Sequence, residues 1–248
     1  IDNGSTDESI SEISYSYPNV RIISNETNNG VASARNVGML NACPSEYFLF
    51  LDSDTEMNQE AFEKMVEYMD NHPEVGLCSC KLIGQNGETQ HSCRKFPRVR
   101  HLIKSYLHEV SLRLKMNLFE DDYKKTIYEI DGQTEPFIVD YALGACHLIR
   151  RTAQIRIGFW DEKFFFGLED ADFCLRLKRE GYKVVCMPQI SILHAYEHNT
   201  STTTKFFTKQ TWKRICGFYH YFKKVRMKIY SDLKNKIHKK NSPKISFL

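Results

Sequence analysis

The sequence predicts an α/β domain: a mostly parallel, Rossmann-like sheet flanked by helices and followed by a basic helical tail. Three observations lead there. Short apolar runs alternate with helical patterns from residue 1 to about residue 83. The run Tyr47-Phe48-Leu49-Phe50-Leu51 is apolar without alternation, as a strand covered on both faces requires. The segment Glu60–Asn71 places Phe62, Met65, Val66 and Met69 on one face, as a helix lying on such a sheet requires.

The elements follow in order. Ile1-Asp2 reads as a strand end, broken by Asn3-Gly4, with Ser5, Thr6 or Asp7 able to cap a helix over about 8–15 that stops before Pro18. Residues 20–24 are a second short strand, and Asn28-Asn29-Gly30 is a turn. Residues 31–41 form a helix whose Ala32, Ser33, Ala34 and Gly38 permit close packing on the sheet. Then come the Tyr47–Leu51 strand, the 60–71 helix ended by Pro73, and a strand over 75–83. Asn86-Gly87 is a hairpin-like turn, and 94–128 is expected to be a variable insert over the site with helical periodicity near 101–119. Residues 137–149 read as one or two strands bent at Gly144, and 158–162 as a turn. A helix opens within 164–172 and runs through Lys178; strands follow at 182–187 and 190–194. The expected division is a catalytic domain over 1–204 and an amphipathic tail over 205–248.

Composition limits the function classes. The chain has 248 residues, 42% hydrophobic and 12% aromatic, which supports a packed core and excludes global disorder. No run approaches the ~18 consecutive apolar residues of a membrane-spanning helix. The opening Ile1-Asp2-Asn3-Gly4 lacks an initiator Met and the pattern of a signal peptide, so an N-terminally incomplete chain is expected. None of the eight cysteines forms a Cys-x-x-Cys pair, which points to reduced core thiols in the cytosol. The net charge of +3 conceals an asymmetry: 205–240 carry twelve Lys/Arg and one acid, whereas 1–204 are acidic. A tail of that kind, with Phe206, Phe207, Trp212, Ile215, Phe218, Tyr219 and Phe222 interleaved among its lysines, fits the surface of an anionic membrane.

Three acidic constellations carry chemistry. The buried run ends in Asp52-Ser53-Asp54, and ligands of open α/β sheets bind beyond the carboxyl ends of strands. Two carboxylates there make a hard-oxygen site for Mg²⁺ or Mn²⁺; the alternative is an Asp-rich turn or a helix cap. Asp2 lies at the same edge, where a carboxylate can accept the N3–H of a uracil or thymine ring, or simply form an Asx turn. Glu169-Asp170-Ala171-Asp172 opens a helix, where the dipole alone favours acids. Phe164, Phe165 and Phe166 precede it, and a carboxylate beside such an apolar wall can serve as a general base. Asp172 and Arg176 are spaced to pair. His194 ends a short apolar run and can complete a metal site or be an ordinary histidine.

Taken together, these markers resemble the family-two glycosyltransferases, in particular the bacterial rhamnosyltransferase-like branch. The resemblance rests on Asp2-Asn3-Gly4-Ser5-Thr6-Asp7, on Asn29-Gly30 with Ala32, Ala34, Arg35, Asn36 and Gly38, and on Phe50-Leu51-Asp52-Ser53-Asp54-Thr55. It continues through residues 137–151 with their Val-Asp…Gly-Ala centre, Trp160-Asp161-Glu162, Glu169 through Arg176, and Ile192-Leu193-His194, covering residues 1 to about 200. Members of that family begin with a strand some thirty residues earlier, which this chain as given does not contain.

The resemblance implies a GT-A fold and inverting transfer of a sugar from a nucleoside diphosphate donor (dTDP-rhamnose-like or a UDP-sugar) to a hydroxyl of a glycan or lipid-linked acceptor. It implies Mg²⁺ or Mn²⁺ at Asp54, Asp52 and His194. Asp170 is then the base, with Glu169 beside it on the acceptor. Donor contacts fall to Asp2, Asn3, Gly30, Arg35, Asn36, Asp52, Ser53 and Gly144. The expected location is cytoplasmic, peripheral on the inner membrane face through 205–240, with no nucleic-acid partner. A nucleotidyltransferase is the first rival, but it needs a glycine-rich basic loop after the first strand, and the Glu169-Asp170 pair and His194 favour sugar transfer. The second rival is a non-catalytic module whose working part is the tail.

Overall fold

The structure, a computed structural model, describes residues 1–99, 120–195, 212, 213 and 215–226. The helical periodicity near 101–119, residues 197–200 and most of the 205–240 tail lie outside the described residues.

The chain first builds helix α1 (Ser9–Ser16) and helix α2 (Val31–Asn41). The expected strand over 20–24 is reduced to a single parallel bridge between Asp2 and Ser24. Strand β1 (Tyr47–Leu51) leads through Asp52 and Asp54 into the two-residue strand β2 (Thr55–Glu56). Helix α3 (Gln59–Asn71) starts at Asn58, whose side chain accepts the Ala61 N–H at 2.8 Å. Asn58 is thus the cap of α3, and Asp52 and Asp54 stand apart from it. The inward face of α3 is Ala61, Met65 and Met69; Phe62, expected on that face, is 37% exposed.

Strand β3 (Val75–Ile83) is followed by β4 (Cys93–Arg94) and the short helix α4 (Glu120–Lys124). The 137–149 region, expected as one or two strands, supplies β5 (Phe137–Ile138), β6 (Tyr141–Ala142) and β7 (Cys146–Arg150). Helices α5 (Arg151–Ile157) and α6 (Glu169–Arg179) precede β8 (Lys183–His194). The two strands expected at the end of this region are one, with a register shift opposite Cys80 and Lys81. Helix α6 begins only at Glu169, because Gly167 and Leu168 both take left-handed backbone conformations, φ 87° and 69°. Residues 215–226 form helix α7.

The main sheet runs β1-β7-β3-β8-β2, with β5 added beside β8. Its β3–β8 ladder is parallel, and the β1–β7, β3–β7, β2–β8 and β5–β8 ladders are antiparallel. The sheet is therefore mixed, with less parallel pairing than the alternation of strands and helices suggested. β1 lies at one end of the order, and its alternation is plain: Phe48 is buried, while Leu49 and Leu51 are 36% and 41% exposed. In the chain as given β1 has one strand partner, β7, and its Leu49 and Leu51 are correspondingly open. A slot of about 290 Å³ lined by Gly38, Met39 and the β1 residues lies beside this strand.

Two cores flank the sheet. Ala32, Met39, Leu77, Ile149, Phe173 and Val184 belong to one, and Ala61, Met65, Met69, Cys78, Leu148 and Val185 to the other. Neighbouring residues of β3, β7 and β8 divide between them, as the two-residue period of a strand dictates. All eight cysteines are free thiols and six are buried, in agreement with a reduced core. In α7, Tyr221 is buried in the first core, His220 bonds Asp161 at 2.8 Å, and Lys224 reaches Asp161 at 2.9 Å and Asp172 at 2.5 Å. His220 and Lys224 hold the Asp161 carboxyl below the usual range against the opposing effect of its burial. This face of α7 is integral to the domain, while Trp212, Ile215 and Tyr219 point outward, 67%, 49% and 71% exposed.

Candidate active site

The β2–β8 ladder creates the first half of the site. Thr55 pairs with His194, and the Ala195 N–H donates to the Asp54 carbonyl at 2.7 Å. This registration brings the end of β8 beside the turn after β1. Ligand atoms of Asp52, Asp54 and His194 then all lie within 4.8 Å of one another, the group of this kind found among the described residues. His194 Nε2 is 3.5 Å from Asp54 Oδ1. Two carboxylates and an imidazole form a donor set that fits Mg²⁺ or Mn²⁺, because hard oxygen ligands dominate and the carboxylates are open to a ligand's own oxygens. Their side chains are 46% and 40% exposed, while that of His194 is 10%. Burial and the charges of Asp170 and Asp54 push the Asp52 carboxyl up, and Arg35 opposes them. Ser53 is exposed between the two acids.

The second half is the start of α6. Asp170 is buried and held from two sides: Arg35 Nη1 donates to Oδ1 at 2.7 Å, and the Gly144 N–H to Oδ2 at 2.9 Å. Arg35 also donates to the Gly144 carbonyl at 3.1 Å, lies 3.8 Å from Asp52, and rests 4.6 Å above the Trp160 ring. Burial works against its charge, but Asp170, Asp52 and Glu169 together keep it protonated. Position 144 has to be glycine in this arrangement, since a Cβ there would stand 1.9 Å from the Arg35 guanidinium. The Asp52 N–H donates to the carbonyl of the next residue, Ala145, at 3.1 Å. The bend at 144–145 thus ties the two acidic groups together.

Glu169 is buried beside Asp170, and its Oε2 has no hydrogen-bond partner among the described residues. Burial, reinforced by the Asp170 charge, raises its carboxyl well above the ordinary range. Asp172 is different: Arg176 Nε pairs with it at 2.9 Å, as the four-residue spacing predicts, and Lys224 takes its other oxygen.

The other residues expected at the donor have the following partners within the protein. Asn3 has its amide engaged with Asn25, Asn28, Asn29 and Gly30, fastening the 25–30 loop. Asn36 is buried and grips Trp160 through both the Trp160 N–H and carbonyl. A Cβ on Gly30 would meet the Phe165 carbonyl at 2.5 Å, so its glycine serves packing against the 164–168 loop. The Asp2 carboxylate accepts the Ser5 N–H at 2.9 Å, and hydrogen bonds from the Ser5 hydroxyl and N–H lower its carboxyl pKa. Two partners escaped the sequence reading. Trp160 was noted within a turn and among the family markers, but not as the support of Arg35. Gln90, which bonds His194 at 2.6 Å, lies 104 positions away and carries no local signal.

Comparison with known proteins agrees with this geometry. The glycosyl transferase family 2 model matches residues 1–157. The N-acetylglucosaminyl-diphospho-decaprenol L-rhamnosyltransferase of Mycobacterium tuberculosis is 25% identical over 210 residues, 80% of this chain and 66% of that protein. Rhamnosyltransferase WbbL of Escherichia coli K12 is 24% identical over 202 residues, 81% of this chain and 70% of the relative. The chain therefore spans about two thirds of the length of these relatives. Among solved structures, GalNAc-T7 with UDP, GalNAc and Mn²⁺ superposes with a TM-score of 0.55 at 15% identity, covering 79% of this chain and 37% of that one. The mannosyltransferase PcManGT of Pyrobaculum calidifontis, in complex with GDP-Man and Mn²⁺, gives 0.51 at 16% identity, covering 80% and 47%. At such identities the likeness is one of fold, and that fold is GT-A. With more than half of its residues matched by the family model, the chain belongs to glycosyl transferase family 2.

Proposed function

We propose that this protein transfers a sugar, with inversion, from a nucleoside diphosphate donor to a hydroxyl of a growing glycan or lipid-linked saccharide. The observation that carries this reading is the juxtaposition of two unlike acidic groups bridged by Arg35: an open Asp52/Asp54/His194 trio and a buried Glu169/Asp170 pair. Rhamnose on dTDP is the favoured donor class, because relatives named rhamnosyltransferases match most of the chain, one of them named a dTDP-rhamnosyl transferase.

Asp54, Asp52 and His194 would hold a divalent cation together with the donor diphosphate. Such an ion, when bound, neutralises the charge of a leaving diphosphate and orients it. Asp52 also reaches the ribose side, and Asp2, at the bridge with Ser24, reads the base. Asp170 receives the proton of the acceptor hydroxyl as that oxygen bonds the anomeric carbon and the bond to the diphosphate breaks. Arg35 and the Gly144 N–H hold the Asp170 carboxylate in place. Glu169, its carboxyl raised to about 7, is partly protonated near neutral pH and in that form can bond the acceptor as a donor. The nucleotidyltransferase and non-catalytic alternatives leave this buried acid pair without a task.

A screen of nucleotide sugars with Mn²⁺ or Mg²⁺, read as thermal shift and as sugar transfer, tests the proposal. The matching donor is expected to stabilise the protein by ~2.7 kcal/mol at a hundredfold excess over Kd. Release of pyrophosphate without glycoside formation would point to the nucleotidyltransferase.

The outward face of α7 is assigned to an anionic membrane surface on the cytoplasmic side, supported by exposed Trp212, Ile215 and Tyr219 and by the basic composition of 205–240. No helix among the described residues is long and apolar enough to cross a membrane, so this contact is peripheral. Each basic residue near such a leaflet contributes about 1 kcal/mol. Co-sedimentation with vesicles should require anionic lipid and weaken as salt rises. Equal, negligible binding to neutral and anionic vesicles leaves α7 as a packing element alone.

A further inference from the structure

We infer that Gln90 is a positioning residue that fixes the tautomer of His194 and presents its Nε2 to the divalent cation; this rests on the metal-site reading above. The inference starts from the backbone. Beyond β3 the chain reverses through Gly84–Glu88, with Gly87 at φ 79°, and returns alongside the strand it left. The Gln90 N–H donates to the Leu82 carbonyl at 2.9 Å, and its own carbonyl accepts the Ser92 N–H at 2.7 Å. Both backbone groups are held by protein partners, so the side chain projects from a fixed point. In the parallel β3–β8 ladder Ile83 pairs with Leu193, which sets His194 next to this return.

The contact between the two side chains is double. The Gln90 amide nitrogen donates to the His194 carbonyl at 3.0 Å, and its amide oxygen faces His194 Nδ1 at 2.6 Å. The first bond settles which end of the amide points where, since only the NH₂ group can donate to a carbonyl. The amide oxygen is then the acceptor, and Nδ1 must carry the hydrogen. In neutral imidazole this leaves the lone pair on Nε2, the nitrogen that faces Asp54 at 3.5 Å. Metal-bound histidines are commonly fixed in this way, by a hydrogen bond from the other ring nitrogen. Gln90 itself lies outside the group that would touch the cation.

The test uses Gln90→Leu, which keeps the size and removes both bonds, and Gln90→Glu, which restores an acceptor for Nδ1–H. Mn²⁺ binding to the protein is titrated by electron paramagnetic resonance, with UDP present throughout at one concentration. Gln90→Leu is expected to weaken Mn²⁺ binding ~10–100-fold, the range for loss of such supporting partners. Gln90→Glu should recover most of that loss. Independently, ¹⁵N NMR of the metal-free protein should show His194 protonated at Nδ1 in the parent and a mixture of tautomers in Gln90→Leu. Parent-like Mn²⁺ affinity in Gln90→Leu, or an Nε2–H tautomer in the parent, overturns the inference and leaves the metal-site reading standing. A parent that takes up no Mn²⁺ overturns both.

Discussion

Asp170→Asn is expected to lower turnover by ~10²–10⁴-fold while leaving donor affinity within about twofold, the loss typical of a removed general base. The amide has the size of the carboxylate and can still accept from Arg35 Nη1, but it cannot take up the acceptor's proton. Two neighbours make the comparison informative. Asp172 lies two residues further along α6, bonded to Arg176 and Lys224, and only 3% of its side chain is exposed. Its amide variant should lose stability rather than chemistry, because removing one partner of a buried ion pair costs about 3–5 kcal/mol. Glu169→Gln should reduce turnover less than Asp170→Asn, since a protonated carboxyl and an amide can both donate to the acceptor. Single-turnover rates, donor titrations and melting curves of the three variants decide the matter. A greater loss of turnover in Asp172→Asn with the fold intact reverses the assignment, and turnover lost in Glu169→Gln but kept in Asp170→Asn transfers the base to Glu169.

Asp170 was legible in the sequence; what holds it was not. Acids at the start of an amphipathic helix after three phenylalanines can be read from a dozen neighbouring residues. The partner Arg35 is 135 positions away on α2, and no local pattern encodes its meeting with the start of α6. The same limit applies to the partners of Arg35 and Asn36. Both sit in a motif-like stretch, but helical period alone does not say which face of α2 turns inward, and the structure buries both. Helices α2 and α3 fell within a residue of their expected bounds, since periodicity and caps are local signals. Strand direction and edge position are properties of the whole sheet. Hence β1 was expected in a parallel sheet and pairs antiparallel with β7. The Asp172–Arg176 pair was found because four residues on a helix fix a distance.

Asp54→Ala is expected to abolish metal-dependent donor binding. The trio of Asp52, Asp54 and His194 offers one ligand atom each, and these roles are unequal. Asp52 is drawn toward Arg35 at 3.8 Å and thereby toward the Asp170 side of the site. Asp54 has no such competing cation within ion-pair distance among the described residues, and it directly faces His194. It is therefore the carboxylate best placed to give its full charge to a cation, and removing it leaves one shared carboxylate and one neutral imidazole for a doubly charged ion. The donor diphosphate then meets a site that has lost the ion screening its charge from Asp52 and Asp170. Asp52→Ala should be milder for the metal but should also disturb Arg35, so its turnover falls further than its donor affinity. Isothermal titration of UDP or dTDP with and without Mn²⁺ separates the two effects. The parent should bind the nucleotide more tightly with Mn²⁺ than without, and Asp54→Ala should show the weaker, metal-independent value in both conditions. Parent-like enhancement by Mn²⁺ in Asp54→Ala would remove this residue from the metal site and leave His194 and Asp52 to be tested as its core.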